Sequence, residues 1–485
     1  MNNKFINGTS RSPKNLVRGN STTFNFGTFS GITVIFMLFA YIIVQNSTSG
    51  DGFSGNLTLD GVLSLISIVI SSIMVGFSVG SSTLQFTSAL FWVFQYTFFG
   101  ITAYSYSKDT QPLYLARGVS ANGFHQAHIL VLISGFFVAV TQIVCHVKRH
   151  KGGTSDVLPV EIDIPILLRK LRTLTYVYLL LAIPILAYLG GFTYLFRKGA
   201  QAFGYDNGSN PLLVIAESIF LVVPVVVTCS LLTLKSFNHV KVNRLWLYGS
   251  LIWLLIISNP LAHARQSVLF TALPIAYIAM KRSRRFGIIL IYIIPFAMLY
   301  LANVVDRSNG SVRLNFSIAV TSRLGDLDAF AQLSNGIDKV SLGIFPLMHQ
   351  IIGSIFFFIP RSLWSAKPFD TGVVIGQQSN LLFSNLSAPW ILEAYVNARL
   401  IGVIIVSIWI GYTLFNIDMS AKPKLYSYLI GAITSGSLFI LLRGSLLQAT
   451  GRTLFCFLAV FLLFRNVTIN PQAPKIEGVK ANQTH

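Results

Sequence analysis

Residues 57–80 read LTLDGVLSLISIVISSIMVGFSVG, a run of 24 residues with one charge, Asp60. An α-helix needs roughly 20 apolar residues to cross a ~30 Å hydrocarbon core, so this stretch has the length and polarity of a membrane span. Comparable runs recur at 31–44, 85–106, 126–146, 173–195, 211–234, 245–260, 267–280, 286–305, 388–415, 425–443 and 453–465. The chain is 53% hydrophobic and 11% charged, against roughly 25% charged in average soluble domains. A water-soluble fold with so few charges would leave much apolar surface wet, so lipid is the expected solvent. The fold class predicted is all-α: a polytopic membrane protein of about 12 spans.

Lys and Arg total 36 and Asp and Glu 16. The cations sit in short loops between apolar runs, so they set topology and meet anionic lipid; no nucleic-acid partner is expected. With the N-terminus in the cytoplasm, 22 of the 36 cations fall inside, including Arg169/Lys170/Arg172 and Lys281/Arg282/Arg284/Arg285. Both termini are then cytoplasmic, and the polar lead before the first run reads as preceding a retained anchor. The organisation expected is nine spans over 1–305, a large outer segment over 306–387, three spans over 388–466 and a disordered tail over 467–485. Within the outer segment, 341–359 is apolar enough to cross. A crossing would invert all that follows, so a re-entrant or interface-lying helix broken near Pro346 is expected. Cys145, Cys229 and Cys456 all lie in apolar runs, which predicts no disulfide framework.

Walker loops, GxGxxG, HExxH and CxxC are all missing from the sequence. No metal or nucleotide cofactor is expected. The informative residues are cations near the outer boundary: Arg265 between two short runs, Arg361 and Lys367 after the 341–359 run, and Arg443 and Arg452 flanking the last outer turn. Charge at membrane depth is costly and faces a cavity or a partner, and guanidinium forks suit a pyrophosphate. Snorkelling to headgroups is the competing explanation. Candidate proton acceptors are Glu393 at the outer end of a span, His349, and Asp328 on an expected surface helix.

Three segments carry a resemblance. Pro360-Arg361-Ser362-Leu363-Trp364-Ser365-Ala366-Lys367-Pro368 is similar to a PR-x-x-W-x-x-KP segment; Glu393-Ala394-Tyr395-Val396-Asn397 with Gly402 is similar to E-x-Y-x-N…G; Arg443-Gly444-Ser445 comes third. In this order they resemble the bacterial oligosaccharide repeat-unit polymerases, the Wzy-type O-antigen and capsule polymerases, over about 255–450. Ala398-Arg399 departs from the Phe-Gly usual there. The resemblance implies a GT-C-like, metal-independent glycosyltransferase at the outer face of the inner membrane. It implies transfer of a glycan from undecaprenyl pyrophosphate to a lipid-linked repeat unit, with a separate co-polymerase setting chain length. On that basis Arg265, Arg361, Arg443, Lys367 and Arg452 are expected at the pyrophosphate and Glu393, His349 or Asp328 near the acceptor hydroxyl. A lipid-linked oligosaccharide flippase and an O-antigen ligase remain alternatives.

Overall fold

The computed structural model describes residues 24–47, 58–81, 84–108, 118–151, 161–195, 211–236, 242–259, 265–300, 328–380, 386–419 and 425–469. Helices α1 (Phe26–Ser47) and α2 (Leu59–Gly80) pack together. The Thr58 hydroxyl starts α2 by accepting from the Gly61 amide at 3.2 Å, one of the donors a helix leaves orphaned at its start. Helix α3 (Phe86–Gln95) runs through a π-helical turn, Tyr96–Ile101, into α4 (Thr102–Lys108). Then come α5 (Ala121–Lys151), α6 (Ile164–Tyr188), α7 (Pro211–Ser236), α8 (Arg244–Ile257), α9 (Arg265–Arg282) and α10 (Arg284–Tyr300). Residues 328–380 supply α11 (Ala329–Ser341), α12 (His349–Ile355) and α13 (Thr371–Gln378); α14 (Trp390–Met419), α15 (Leu425–Arg443) and α16 (Leu446–Phe464) complete the described fold.

Among the described residues, 6 helices are long and apolar enough to span a membrane, within α2, α5, α6, α7, α14 and α15, and shorter apolar stretches lie in α1, α8, α9 and α16. Large side chains such as Leu180, Ile183, Leu255 and Ile401 stay exposed at mid-helix. That is the surface lipid covers, since only helices satisfy every backbone group without water.

One end of the bundle is closed by polar clasps. The Asn25 amide donates to the Gly80 carbonyl at 2.9 Å, and Arg284 donates to Val79 at 2.8 Å and Ser81 at 3.0 Å. Asp418 caps α3 by accepting from the Thr87 and Ser88 amides at 3.0 and 2.8 Å. Glu161–Ile162 pairs antiparallel with Thr468–Ile469, so the first residues of the tail expected to be disordered are instead tied to the linker before α6. Arg169, Lys170, Arg284, Arg285 and Arg465 gather at this end.

The opposite end carries two corrections. First, α11 is not a surface helix: Ala329 through Leu333 are fully buried, and Asp338 accepts from the Ser120 amide at 2.6 Å, which pins α11 to the start of α5. Second, the run 388–415 is not one straight span. Ala398 (φ −145, ψ 24) and Arg399 (φ 54, ψ −146) interrupt α14. A straight helix would hold Trp390 about 42 Å from Asp418. Yet Asp418 binds Ser88, and the Trp390 ring lies 6.1 Å from that of Phe91, three residues further along α3. Residues 390–397 therefore turn into the bundle. The 341–359 run contains no span-length helix either: α12 has 7 residues, after a left-handed Met348 (φ 60).

The break depends on Gly402, where a Cβ would stand 2.3 Å from the Ala394 carbonyl oxygen, whereas Gly249 has nothing within 4 Å. Gly402→Ala is expected to destabilise the protein by about 1–3 kcal/mol through overpacking, and Gly249→Ala not at all. Thermal melts of the two variants in detergent check this; equal midpoints would contradict it.

Candidate functional site

The segment before the break is held by its own motif residues. Asn397 receives the Ile351 amide on its side-chain oxygen at 2.8 Å and the Met348 amide on its carbonyl at 3.0 Å. A helix interruption frees carbonyls, and here the outer segment satisfies them. Arg399 sits in a backbone region that favours glycine. Its guanidinium offsets that strain with bonds to the Val396 carbonyl at 3.0 Å and the Phe345 carbonyl at 3.2 Å.

The turn between α15 and α16 meets this segment residue by residue. Arg443 Nη2 lies 3.2 Å from Asp328 Oδ1, and the Ser387 hydroxyl donates to the same oxygen at 2.7 Å. Gly444 has no room for a Cβ, which would stand 2.7 Å from the Ile440 carbonyl oxygen. The Ser445 hydroxyl donates to Asp370 Oδ2, and Asp370 Oδ1 accepts from the Gly372 amide at 2.9 Å, capping α13. The Leu446 amide, first in α16, donates to Glu393 Oε1 at 3.0 Å. Thus carboxylates sit at helix starts, where the macrodipole favours negative charge. Asp328, Asp370 and Glu393 are all buried. Burial pushes the Asp370 carboxyl above the usual range, against the pull of the Ser445 hydroxyl and the Gly372 and Val373 amides.

Arg361 and Lys367 make a compact loop. Arg361 donates to the carbonyls of Lys367 at 2.5 Å and Pro368 at 2.8 Å and stacks 3.8 Å over the Phe369 ring. Lys367 Nζ, 7% exposed, donates to the Phe357 carbonyl at 2.6 Å and the Ile359 carbonyl at 2.8 Å. Burial and the neighbouring Arg361 hold its pKa below the ordinary lysine value. Pro368 packs where a side chain on Gly353 would be, and Asp370 follows directly. The Arg443-Gly444-Ser445 turn therefore joins Asp328, Asp370 (two residues past the Arg361–Pro368 segment) and Glu393 in one buried polar cluster.

The other candidates lie elsewhere. Arg452 faces Glu217 of α7 at 3.7 Å. His349 Nε2 is 3.1 Å from the Ala366 carbonyl oxygen. Arg265 opens α9, but its side chain lies outside the described residues. Glu217 and Asp370 had a legible signal, each a lone carboxylate beside or inside an apolar run. The Asp60–His125 pair, 2.7 Å apart across 65 residues of sequence, had none.

Several buried polar atoms here have no hydrogen-bond partner within the described residues: both amide atoms of Gln332 and of Gln95, Asn335 Nδ2, Trp390 Nε1 and Glu393 Oε2. Thr371 stands beside Glu393 without completing a bond. Each such atom costs about 1–3 kcal/mol if nothing pairs with it. Among the described residues, no group of His, Cys, Asp and Glu is arranged to hold a metal ion. No family model, curated protein or solved structure matches the chain. The fold and site define a helical membrane protein with a buried polar joint between residues 328–397 and its last two helices.

Arg443→Met would leave Asp328 buried without its ion pair and is expected to cost about 3–5 kcal/mol. Adding Asp328→Asn is expected to restore part of the loss. A thermal-melt double-mutant cycle reads the coupling; additive single effects would refute it.

Proposed function

We propose that this protein is a metal-independent glycan polymerase of the inner membrane, transferring a chain from undecaprenyl pyrophosphate to a lipid-linked repeat unit at the outer face. The observation that carries this reading is convergence. Of the three segments that resemble the Wzy-type polymerases, the third reaches the second through the Leu446–Glu393 bond, comes within two residues of the first through the Ser445–Asp370 bond, and adds the Arg443–Asp328 pair. The sidedness follows the positive-inside rule, with the cationic end in the cytoplasm and both termini there.

The acceptor hydroxyl attacks the anomeric carbon, the bond from that carbon to the pyrophosphate oxygen breaks, and undecaprenyl pyrophosphate leaves with the electron pair. Negative charge develops on the leaving group, and a preorganised cation stabilises it. Arg443, partly exposed in its ion pair, is assigned that role. Arg361 and Lys367 direct donors to their own loop and so shape the site, while Arg452 is paired with Glu217. The hydroxyl proton passes to Glu393, whose Oε2 has no hydrogen-bond partner among the described residues. Asp328 is engaged by Arg443 and Ser387, and His349 is the weaker candidate. Lipid-linked glycans are the substrates, and a co-polymerase is the expected partner.

Deleting the gene in its host and resolving surface glycan on a gel tests the assignment. The expected result is a single repeat unit on its usual anchor in place of a ladder, restored by the wild-type gene and not by Arg443→Ala or Glu393→Gln. Long chains accumulating on undecaprenyl pyrophosphate with no surface glycan would indicate a ligase. Single lipid-linked units accumulating on the cytoplasmic face would indicate a flippase.

A further inference from the structure

We infer that the interior between α3, α11 and the first turns of α14 is a binding site for the hydroxyl groups of a sugar ring. Gln332 is fully buried, yet neither its amide nitrogen nor its oxygen has a partner among the described residues, and the same holds for Gln95. Buried polar groups in folded proteins are almost always satisfied, and those left over face water or a ligand.

Packing contacts join the elements that carry these groups. Gln95 follows Phe91 by one turn on α3, and the Phe91 ring lies against Trp390, whose indole N–H is also unpartnered. Gln332 follows Asp328 by one turn on α11, and Asp328 binds Ser387, three residues before Trp390. α11 itself packs against the π-turn that begins just after Gln95. Trp390 thus links the stretch of α3 that carries Gln95 to the stretch of chain bound by the start of α11. One turn beyond Gln332, Asn335 keeps its Nδ2 unpartnered while its oxygen accepts from Ser379 at 3.1 Å.

The chemistry of the set selects the ligand. It combines neutral donors (amide and indole N–H) with acceptors (two amide oxygens). Acceptors repel an anion, so a phosphate would leave the two oxygens unsatisfied. A hydroxyl both donates and accepts, and a ring bearing several of them matches a mixed, uncharged set. A site of this kind rejects ligands that lack the hydroxyl, because its own groups then stay unpaired. A sugar held here would lie beside Asp328 and Arg443, with its pyrophosphate toward the guanidinium. The hydroxyl site stands on these atoms alone; its assignment to a lipid-linked glycan rests on the proposed function.

The test uses the full chain in nanodiscs and two probes: repeat-unit lipid extracted from the host membrane, and undecaprenyl pyrophosphate without sugar. Wild type is expected to prefer the sugar-bearing probe by roughly tenfold or more. The double variant Gln95→Met, Gln332→Met is expected to lose that preference while its Tm rises by a few degrees, since an apolar isostere removes unpaired groups. A lower Tm would show that the amides are structural and would overturn the inference. A higher Tm with the preference intact would leave only hydration and would also overturn it, without touching the polymerase reading. Preference lost in the variant, together with a normal ladder in the deletion strain, would support the sugar site and sink the polymerase.

Discussion

Taking a guanidinium and a carboxylate out of water inside a helical bundle carries a desolvation cost of several kcal/mol per ion, and their attraction offsets it only when the geometry is good and the remaining donors are met. Arg443 and Asp328 pair at 3.2 Å across 115 residues of sequence, with the Ser387 hydroxyl and amide adding to the Asp328 shell. The pair joins α15 to the start of α11, and through Ser387 to the start of α14. With it, α11, α13 and residues 390–397 have their starts drawn together around one turn, and the Ser445 and Leu446 bonds add two more ties.

That arrangement explains why the motif residues are of these types. In Arg443-Gly444-Ser445, the arginine reaches Asp328, the glycine removes a clash with Ile440, and the serine reaches Asp370. In Glu393…Asn397…Gly402, the glutamate receives α16, the asparagine receives the loop before α12, and the glycine lets the chain fold against Ala394. Arg361 and Lys367 bind backbone carbonyls of their own loop, as buried cations without a carboxylate must. Helices broken inside a membrane protein are tolerated where the freed groups find partners or line a cavity. At the break in α14 the Met348 amide and the Arg399 guanidinium supply such partners.

The 6 long apolar helices were legible because a membrane span must be a long apolar run. The break in α14 was less so: the 388–415 run keeps its hydropathy across Ala398-Arg399, and only the departure from Phe-Gly marked the place. A glycine there would accept the left-handed backbone, which Arg399 adopts with help from carbonyl bonds. Hydropathy also misjudged α11, whose Gln332, Ser334 and Asn335 look solvated yet lie inside. Site candidates were legible as charges at membrane depth. Their partners were not, because Asp328–Arg443 and Arg452–Glu217 join residues over a hundred positions apart.

The most direct test of this account is whether residues 390–397 turn into the bundle. In a chain whose three native cysteines are replaced by alanine, cysteines at Phe91 and Trp390 should be bridged by a short bis-maleimide, because these side chains pack ring to ring at 6.1 Å. The cysteine at 390 should then resist a membrane-impermeant maleimide added from outside. Efficient labelling at 390 with no bridge to 91 would mean that α14 continues straight outward and that the buried joint does not exist.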